Sequence, residues 1–485
     1  MNKSIWLDSI KKYNYTTLNN DCECDILIIG GGITGVSCAY HLKNCNKKVI
    51  LVESNLIAHG TSGKTTGKLT FLQDDILNKI KNIYSEKKAI DYLNSQKFAV
   101  ELAKEIIVDN KISCDFKEVN SYIFTNDKNN IQKINNTYSI IKDYCSTATG
   151  TKIPLKVKSY KSLKVNNTYV FHPVKFILSL FKVLEKDIDI YENTRIVNLT
   201  RKKDYWIAET NKHIIKAKNI VLACHYPFFL KPFLFPFKTT IEKSYLSAIK
   251  VDNITPSSII NIDKNVLSFR YHQDKDKYLI IVKETNDLRK NINDINKLNK
   301  IKNYINKYFT DEICYSWSNH DIMTTDHIPL IGKIDKDLYL ATGYNTWGMT
   351  NGILSGKIIS DIILKRKNSY IKLFDPLRNI ENIPQLINYN LKNSISFINT
   401  KLNKKKSFYH NNVKVIKENG IWYGIYVDDN NIEHKVFNKC PHMKCNLYFN
   451  YQTKSWDCPC HGSSFDIDGN IIYGPTTDDI KINKK

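Results

Sequence analysis

The chain has 485 residues, enough for two or three domains, and a formal net charge of +23 from 71 basic and 48 acidic residues. The basic residues are nearly all lysine and alternate with acids, so this charge does not indicate nucleic-acid binding. No stretch reaches the about 18 apolar residues of a membrane span, and residues 1–20 lack the pattern of a signal peptide. We therefore expect a soluble, cytoplasmic protein whose cysteines serve as thiols and metal ligands before disulfides.

Residues 25–53 predict a strand, a glycine turn, a helix and a second strand. The glycines follow G-x-G-x-x-G. Gly30 permits the tight turn, Gly32 lets a pyrophosphate approach the backbone, and Gly35 lets the helix pack closely on the strand. Glu53 ends the second strand, where a carboxylate accepts hydrogen bonds from a ribose diol. The motif predicts dinucleotide binding with an unphosphorylated ribose but does not separate FAD from NAD.

Residues 58–67, AHGTSGKTTG, form a loop rich in glycine and hydroxyl groups, which could wrap a phosphate or a flat ring or simply be solvated. Residues 74–108 have the apolar spacing of two helices. The chain then predicts a helix at 174–184 and strands at 121–125, 168–171, 189–199, 205–210, 214–217 and 219–224.

Three further segments predict antiparallel strands of a sheet that interrupts the nucleotide-binding fold, at 245–251, 267–271 and 278–282. Arg270 lies on one of them and is a candidate clamp for a substrate carboxylate, with a surface ion pair as the alternative. His59, His172, His225 and His272 could each line a pocket. In residues 324–364 a predicted strand ends at Gly343 and a predicted helix begins near Thr350. The backbone amides at the start of this helix could bind an anionic group, with Trp347 beside them.

From about residue 25 to 364 these motifs resemble the FAD-dependent oxidoreductases of the D-amino-acid oxidase and glycine oxidase superfamily. The resemblance implies an α/β fold, in which a Rossmann-like FAD-binding domain carries an inserted antiparallel-sheet substrate domain. It also implies oxidation of C–N bonds of amines and amino acids by hydride transfer to the flavin, often without a side-chain base, so we assign no catalytic acid or base. The FAD contacts that it implies are Gly30, Gly32, Gly35, Glu53, Thr61, Ser62, Lys64, Thr65, Thr66, Val197 (through its backbone), Gly343, Trp347, Gly348, Met349 and Thr350.

We expect the oxidoreductase domain to occupy residues 1–375, with FAD-binding parts at about 22–100, 150–235 and 312–370 and substrate-sheet parts at about 101–149 and 236–311. Residues 376–406 are polar and weakly patterned, which favours a linker. Short alternating segments at 413–416, 421–427 and 432–437 then predict a small all-β domain over residues 407–485.

This last domain contains Cys440-Pro-His442 and Cys458-Pro-Cys-His461. Each half offers one thiolate and one imidazole, which is the ligand set of a Rieske [2Fe–2S] cluster, with a zinc site as the alternative. The surrounding sequence resembles Rieske domains of the cytochrome bc type. That resemblance implies a disulfide between Cys445 and Cys460, a Gly474-Pro475 turn over the cluster, and a hydrogen bond from Ser463 to a bridging sulfide.

Phe465 departs from the high-potential members of that group, which have a tyrosine at this position that donates a hydrogen bond to a ligand sulfur. Because the reduced cluster is more negative, losing the donor should lower the reduction potential. We therefore predict a potential below that of quinol-oxidising Rieske proteins.

Together the modules predict a flavin-dependent dehydrogenase, rather than an oxidase, that oxidises an amine or amino acid at FAD. It would export the electrons singly through one [2Fe–2S] cluster to a one-electron acceptor, a protein or a quinone. The fused architecture resembles a known bacterial group. The alternatives are a reductase that runs the chain in reverse, a redox-sensing or electron-transfer protein without turnover, and a Rieske oxygenase. An oxygenase needs a mononuclear iron site. The candidate ligands that lie close together in the sequence are His320, Asp321, Asp326 and His327.

Overall fold

The structure is a computed structural model and describes residues 3–10, 13–228, 238–263, 267–287, 297–309, 312–379, 412–451 and 453–482. Its helices are α1 Ile5–Asp8, α2 Ile33–Leu42, α3 Ile76–Ile83, α4 Glu86–Asp109, α5 Ile131–Ile141, α6 Pro173–Leu184, α7 Lys297–Tyr308, α8 Gly348–Ile363 and α9 Ile371–Phe374. Within the described ranges, none of these helices has the length and apolar character needed to cross a membrane.

The strands of the larger domain are β1 Cys22–Ile29, β2 Val49–Val52, β3 Lys68–Leu69, β4 Lys117–Thr125, β5 Thr147–Gly150, β6 Lys161–Val170, β7 Asp189–Tyr191, β8 Asn198–Arg201, β9 Trp206–Glu209, β10 Ile214–Leu222, β11 Thr239–Lys250, β12 Ser257–Asn261, β13 Leu267–Gln273, β14 Lys277–Asp287, β15 Ile313–Thr324, β16 Leu330–Asp335 and β17 Leu338–Thr342. The smaller domain has β18 Val413–Glu418, β19 Ile421–Val427, β20 Glu433–Phe437, β21 Tyr448–Asn450, β22 Ser455–Asp457, β23 Ser464–Phe465 and β24 Ile471–Tyr473.

The first sheet has the strand order β16-β17-β10-β1-β2-β7, with β1 parallel to both β2 and β10. Alternate residues of β1 enter different cores. Ile26 and Ile28 pack on one face of the sheet, whereas Leu27 and Ile29 pack on the other. A strand that is covered on both faces must be apolar along its length, which explains the unbroken run at 26–29. The predicted Rossmann-like sheet is confirmed.

The second sheet has the order β15-β11-β14-β13-β12-β4-β6-β3 and is mostly antiparallel. The predicted strand at 245–251 overlaps β11, which ends at Lys250, and those at 267–271 and 278–282 lie within β13 and β14. β15 also belongs here, because it pairs with β11 from Thr239 opposite Thr324 to Ile249 opposite Ile313. β3 and β6 join the same sheet. Residues 68–69, 161–170 and 313–324, which we assigned to the FAD-binding parts, therefore lie in this second sheet.

Two details of the first sheet differ from prediction. Residues 189–199 form β7 and β8 rather than one strand, because the Glu192 carboxylate accepts hydrogen bonds from the Tyr15 amide at 2.9 Å and the Ile57 amide at 2.6 Å. These bonds hold a bend between the strands. Residues 214–217 and 219–224 form the single strand β10, which ends at Leu222.

The smaller domain contains the sheets β18-β19-β20 and β21-β22-β23-β24, which confirms the predicted all-β module. Trp456 is fully buried between them, and a Cβ on Gly424 would lie 2.5 Å from its ring. A larger residue than glycine would therefore displace the indole. The predicted linker at 376–406 lies outside the described residues, apart from 376–379.

Candidate functional site

The turn between β1 and α2 presents backbone amides at one end of a cleft. Gly30 has a φ of +120°, and a Cβ there would lie 2.5 Å from the carbonyl oxygen of Ala223. A Cβ on Gly35 would overlap the carbonyl oxygen of Gly30, so only glycine allows α2 to approach β1 this closely. Glu53 follows β2 and accepts a hydrogen bond from the Gly31 amide at 2.8 Å. The turn and the carboxylate are therefore held as one unit.

The cleft joins segments that are far apart in the sequence. Thr61 Oγ1 is buried there and has no hydrogen-bond partner among the described residues, so a bound group can supply one. The cleft offers an amide-rich turn, a carboxylate after the second strand and several hydroxyl groups. These groups suit, in that order, the phosphates, the ribose and the ring of FAD. The residues present therefore fit FAD. The predicted FAD contacts that line the cleft are Gly30, Gly32, Glu53, Thr61, Ser62, Thr65, Gly348 and Met349.

The other predicted FAD contacts lie outside the cleft lining and support it. Trp347 Nε1 donates to Asp74 at 3.4 Å, and Thr350 Oγ1 donates to the Thr70 carbonyl at 3.3 Å, so both fix the start of α8. The Val197 amide donates to Glu209 at 2.7 Å, beside the lining residues 194–196. This supporting group consists of Gly35, Lys64, Thr66, Val197, Gly343, Trp347 and Thr350.

Several residues that line the cleft were not predicted from the sequence to contact FAD. Asn319 and Asp321 reach the cleft from β15, because β15 pairs with β11, and no local spacing signals that pairing. Burial raises the pKa of Asp321 to about 7, and the charge of Glu242 adds to the effect. Cys224 and His225 follow β10, and His225 is, with His59, one of the two predicted pocket histidines that line the cleft. The lining residues that we did not predict as FAD contacts include Arg195, Cys224, His225, Tyr226, Asn319, Asp321, Tyr344 and Tyr473.

Arg270 is buried and is not among the residues that line this cleft, so a surface ion pair is the wrong explanation for it. Its guanidinium lies 4.7 Å from the centre of the Trp6 ring, and Nη2 donates to the Phe171 carbonyl at 2.8 Å. Nε and Nη1 have no partner among the described residues. Burial lowers the pKa of Arg270 to about 9 and that of the neighbouring Lys68 to about 7.

The four predicted cluster ligands come together at one end of the smaller domain. The sulfurs of Cys440 and Cys458 are hydrogen-bonded, which lowers the pKa of Cys440 to about 7 and raises the pKa of Cys458. The rings of His442 and His461 lie 5.0 Å apart at 87°. Burial lowers the pKa of His442 to about 4, so its imidazole is neutral near pH 7 and able to bind a metal. This donor set fits a cluster with sulfur ligands on one iron and nitrogen ligands on the other.

A disulfide between Cys445 and Cys460 links the two ligand loops, as the resemblance implied. The sulfurs of Cys445, Cys458 and Cys460 lie within 4.8 Å of one another, but two of them are bonded together, so only Cys458 is free to bind metal. Gly474 has a φ of +123°, and a Cβ there would overlap the Cα of Ser463. The Gly474-Pro475 turn therefore lies directly on the loop that carries Ser463.

Phe465 is fully buried in the same apolar core as Cys440 and Cys458. Replacing Phe465 with tyrosine is expected to raise the cluster potential by on the order of 40 mV, since a hydrogen bond contributing about 1 kcal/mol would favour the reduced state. A spectroelectrochemical titration of both proteins measures this shift. Phe437, which stacks on Tyr423 at 5.7 Å in the other sheet, provides the control, and Phe437→Tyr should leave the potential unchanged. Equal potentials for Phe465→Tyr and the parent protein would contradict the assignment.

The cluster end of the smaller domain faces the cleft of the larger one. Tyr226, a cleft residue, lies with its ring 5.9 Å from that of His461. Tyr473 contacts His320 and His225, with ring centres 4.8 Å and 5.4 Å apart. Lys243 of β11 pairs with Asp457 of β22 at 2.7 Å, next to the predicted ligand Cys458. The two predicted cofactor sites therefore share a boundary.

The residues proposed for a mononuclear iron do not form a site. The Asp326 carboxylate accepts hydrogen bonds from Arg378 and from Tyr84, and His320 is stacked on Tyr473. Among the described residues outside the smaller domain, no three histidine, cysteine or acidic side chains bring their ligand atoms within 4.8 Å of one another. The oxygenase alternative thus has no support in this geometry.

Family comparisons agree with the two-part architecture. Residues 25–362 match the family described as FAD dependent oxidoreductase, and residues 399–484 match the Rieske [2Fe-2S] domain. Among curated relatives, the chain is 28% identical to YhfW of Bacillus subtilis (strain 168), named as a Rieske 2Fe-2S iron-sulfur protein, over 99% of this chain and 97% of that one. It is 23% identical to gamma-glutamylputrescine oxidoreductase of Escherichia coli (strain K12), over 79% of this chain and 92% of the relative.

Among solved structures, the fold is similar to L-proline dehydrogenase from P. horikoshii, with a TM-score of 0.62 and 18% identity over 74% of this chain and 98% of that one. It is also similar to glycine oxidase from Bacillus cereus ATCC 14579, with a TM-score of 0.57 and 16% identity over 74% and 99% of the two chains. These identities show a shared fold for the larger domain.

Proposed function

Because the chain belongs to the FAD dependent oxidoreductase family and carries a Rieske [2Fe-2S] domain, we propose that it oxidises a C–N bond of an amine or amino acid and releases the electrons through the cluster. FAD and one [2Fe–2S] cluster are its cofactors. When bound, FAD supplies two-electron hydride chemistry and the cluster one-electron transfer. The observation that carries the proposal is the contact between Tyr226, which lines the cleft, and the cluster ligand His461.

The names of the relatives support the substrate class. Gamma-glutamylputrescine oxidoreductase, L-proline dehydrogenase and glycine oxidase are each named for an amine or amino acid. We further propose Arg270 as the group that binds a substrate carboxylate. Its Nε and Nη1 have no partner among the described residues, and its Nη2 lies beside Gly67, which ends the hydroxyl-rich loop. A buried guanidinium with open donors favours an anionic ligand.

The chain's own residues would hold the cofactors and organise the transfer. The turn at Gly30 and Gly32 would present amides to the FAD phosphates, and Glu53 would accept hydrogen bonds from its ribose. Cys440, His442, Cys458 and His461 would hold the cluster. We propose a dehydrogenase rather than an oxidase, since a cluster beside the flavin cleft offers electrons an exit other than oxygen.

The test is an anaerobic screen of amines and amino acids against the purified protein, with the visible spectrum reporting FAD and EPR reporting the cluster. A substrate should bleach the flavin and produce a reduced Rieske signal, and adding oxygen should give slow turnover. The matched variant is His442→Ala, with loss of its cluster verified by EPR. It should still be bleached by substrate but should reduce a one-electron acceptor much more slowly. Turnover of this variant at the parent rate would exclude the cluster from the pathway.

A further inference from the structure

The smaller domain forms part of the wall of the flavin cleft. A single segment at the end of β24 reaches across the domain boundary and faces the glycine turn and the start of α8. The half-exposed side of the cleft near Glu53 also holds Arg195, whose charge is attracted by two carboxylates, that of Glu53 and that of Asp479 from the smaller domain. A cofactor that fills the cleft therefore meets side chains of both domains. The lining residues from the smaller domain are Ile472, Tyr473, Gly474, Thr476 and Thr477.

Tyr473 is the residue of this segment best suited to contact a cofactor. Its ring stacks on His320 with an angle of 10° between the planes and meets the edge of His225. Both histidines belong to the larger domain, so the ring is held from two sides. The hydroxyl is buried and has no hydrogen-bond partner among the described residues. A buried hydroxyl without a partner is costly, by roughly 1–3 kcal/mol, and a cofactor in the cleft can provide the missing acceptor.

The position of Tyr473 is fixed by the way the domains dock. Lys243 and Asp457 form an ion pair whose side chains are each only 1% exposed. Asp457 also accepts hydrogen bonds from Ser455 at 2.9 Å and Ser464 at 2.5 Å, so its carboxylate is bound on both sides of the domain boundary. Asn450 donates to the Tyr245 hydroxyl at 3.3 Å nearby. Buried polar contacts of this kind specify one arrangement of the two domains.

We propose that the Tyr473 hydroxyl donates a hydrogen bond to FAD, so that the Rieske domain completes the cofactor site of the larger domain. Phenol oxygens donate readily, and FAD offers acceptors along its phosphates, ribityl chain and ring. The Rieske domain then has two roles: it carries the cluster and it supplies one wall and one hydrogen bond to the flavin site. This role is independent of the substrate and of the direction of electron flow.

The experiment compares FAD binding by the full-length protein and Tyr473→Phe, which keeps the ring and removes only the hydroxyl. Apo-protein is titrated with FAD and followed by flavin fluorescence, and the visible flavin band of the holoprotein is recorded. We expect FAD binding to weaken by about 3- to 10-fold, the size of one lost hydrogen bond, together with a shifted flavin band. The EPR spectrum of the cluster should be unchanged, which shows that the Rieske domain is intact.

Tyr423→Phe is the matched control, because Tyr423 also belongs to the smaller domain and stacks on an aromatic ring but does not line the cleft. It should bind FAD as the parent does. FAD affinity within twofold of the parent and an unshifted flavin band for Tyr473→Phe would overturn the proposal. An effect confined to the KM for substrate would overturn it too, because the hydroxyl would then contact the substrate rather than FAD.

Discussion

Replacing Lys243 with methionine is expected to destabilise the docked Rieske domain by about 3–5 kcal/mol, because the Asp457 carboxylate stays buried without its cation. The ion pair spans 2.7 Å, and each side chain is only 1% exposed. Burial by itself raises the pKa of Asp457, but the Lys243 charge, together with His320 and the hydrogen bonds from Lys243 and Ser464, holds this pKa below its ordinary value. The carboxylate is therefore charged at neutral pH, and losing Lys243 leaves that charge uncompensated.

Urea titrations of the full-length holoprotein measure this loss, with visible circular dichroism of the cluster reporting the Rieske domain. The double variant Lys243→Met with Asp457→Asn should recover part of the stability, since a neutral amide is easier to bury than a charge. Lys435→Met is the control. The pair formed by Lys435 and Glu418 is 33% and 49% exposed, so water screens it and its loss should cost little stability. Equal losses for both lysine variants would show that the buried pair does not fix the docking.

His172→Asn is expected to reduce the sensitivity of the protein to acid. His172 is fully buried against Trp6, and burial, aided by the charges of Lys175 and Arg270, lowers its pKa to about 3. An unfolded histidine has a pKa of about 6.5, so below that pH the unfolded chain takes up a proton that the folded chain does not. The stability that neutral His172 contributes is complete above pH 6.5 and is lost as the pH falls toward 3. By pH 5 the loss is about 2 kcal/mol.

Asparagine is the informative replacement, because His172 also caps α6 by accepting the Lys175 amide at 3.1 Å, and asparagine is a good N-cap that does not titrate. The free energy of unfolding of both proteins is measured at pH 7, 6 and 5. The parent protein should lose about 2 kcal/mol more than the variant between pH 7 and pH 5. Other titrating groups are common to both proteins and cancel in this difference. A gap that is constant with pH would mean that His172 is protonated in the folded state.

The sequence predicted those features whose functional residues lie close together along the chain. The glycine turn could be identified because Gly30, Gly32 and Gly35 perform their roles within one strand and one helix. The proposed cluster ligands Cys440, His442, Cys458 and His461 could be predicted because two short loops carry all four. The bend at Glu192 could not be predicted, since its hydrogen-bond donors, Tyr15 and Ile57, lie far away in the chain. Strand pattern alone favoured a continuous strand there.

Long-range pairing accounts for the remaining differences. β15 was assigned to the FAD-binding part because it precedes the second glycine turn, yet hydrogen bonds to β11 place it in the other sheet. The same pairing sets Asn319 and Asp321 in the cleft. The burial of Arg270 depends on Trp6, which lies more than two hundred residues earlier. Neither the spacing nor the composition around Arg270 carries that information.

The buried pair between Lys243 and Asp457 constrains how such a fusion can change during evolution. A Rieske domain transplanted from another protein would bring its own residues to positions 457 and 473. Any residue at position 457 that is not an acid would leave Lys243 buried without an anion. Such a chimera would therefore fail to dock at the boundary between the two domains, even if each domain folded. We therefore expect substitutions on the two sides of this boundary to occur together rather than independently.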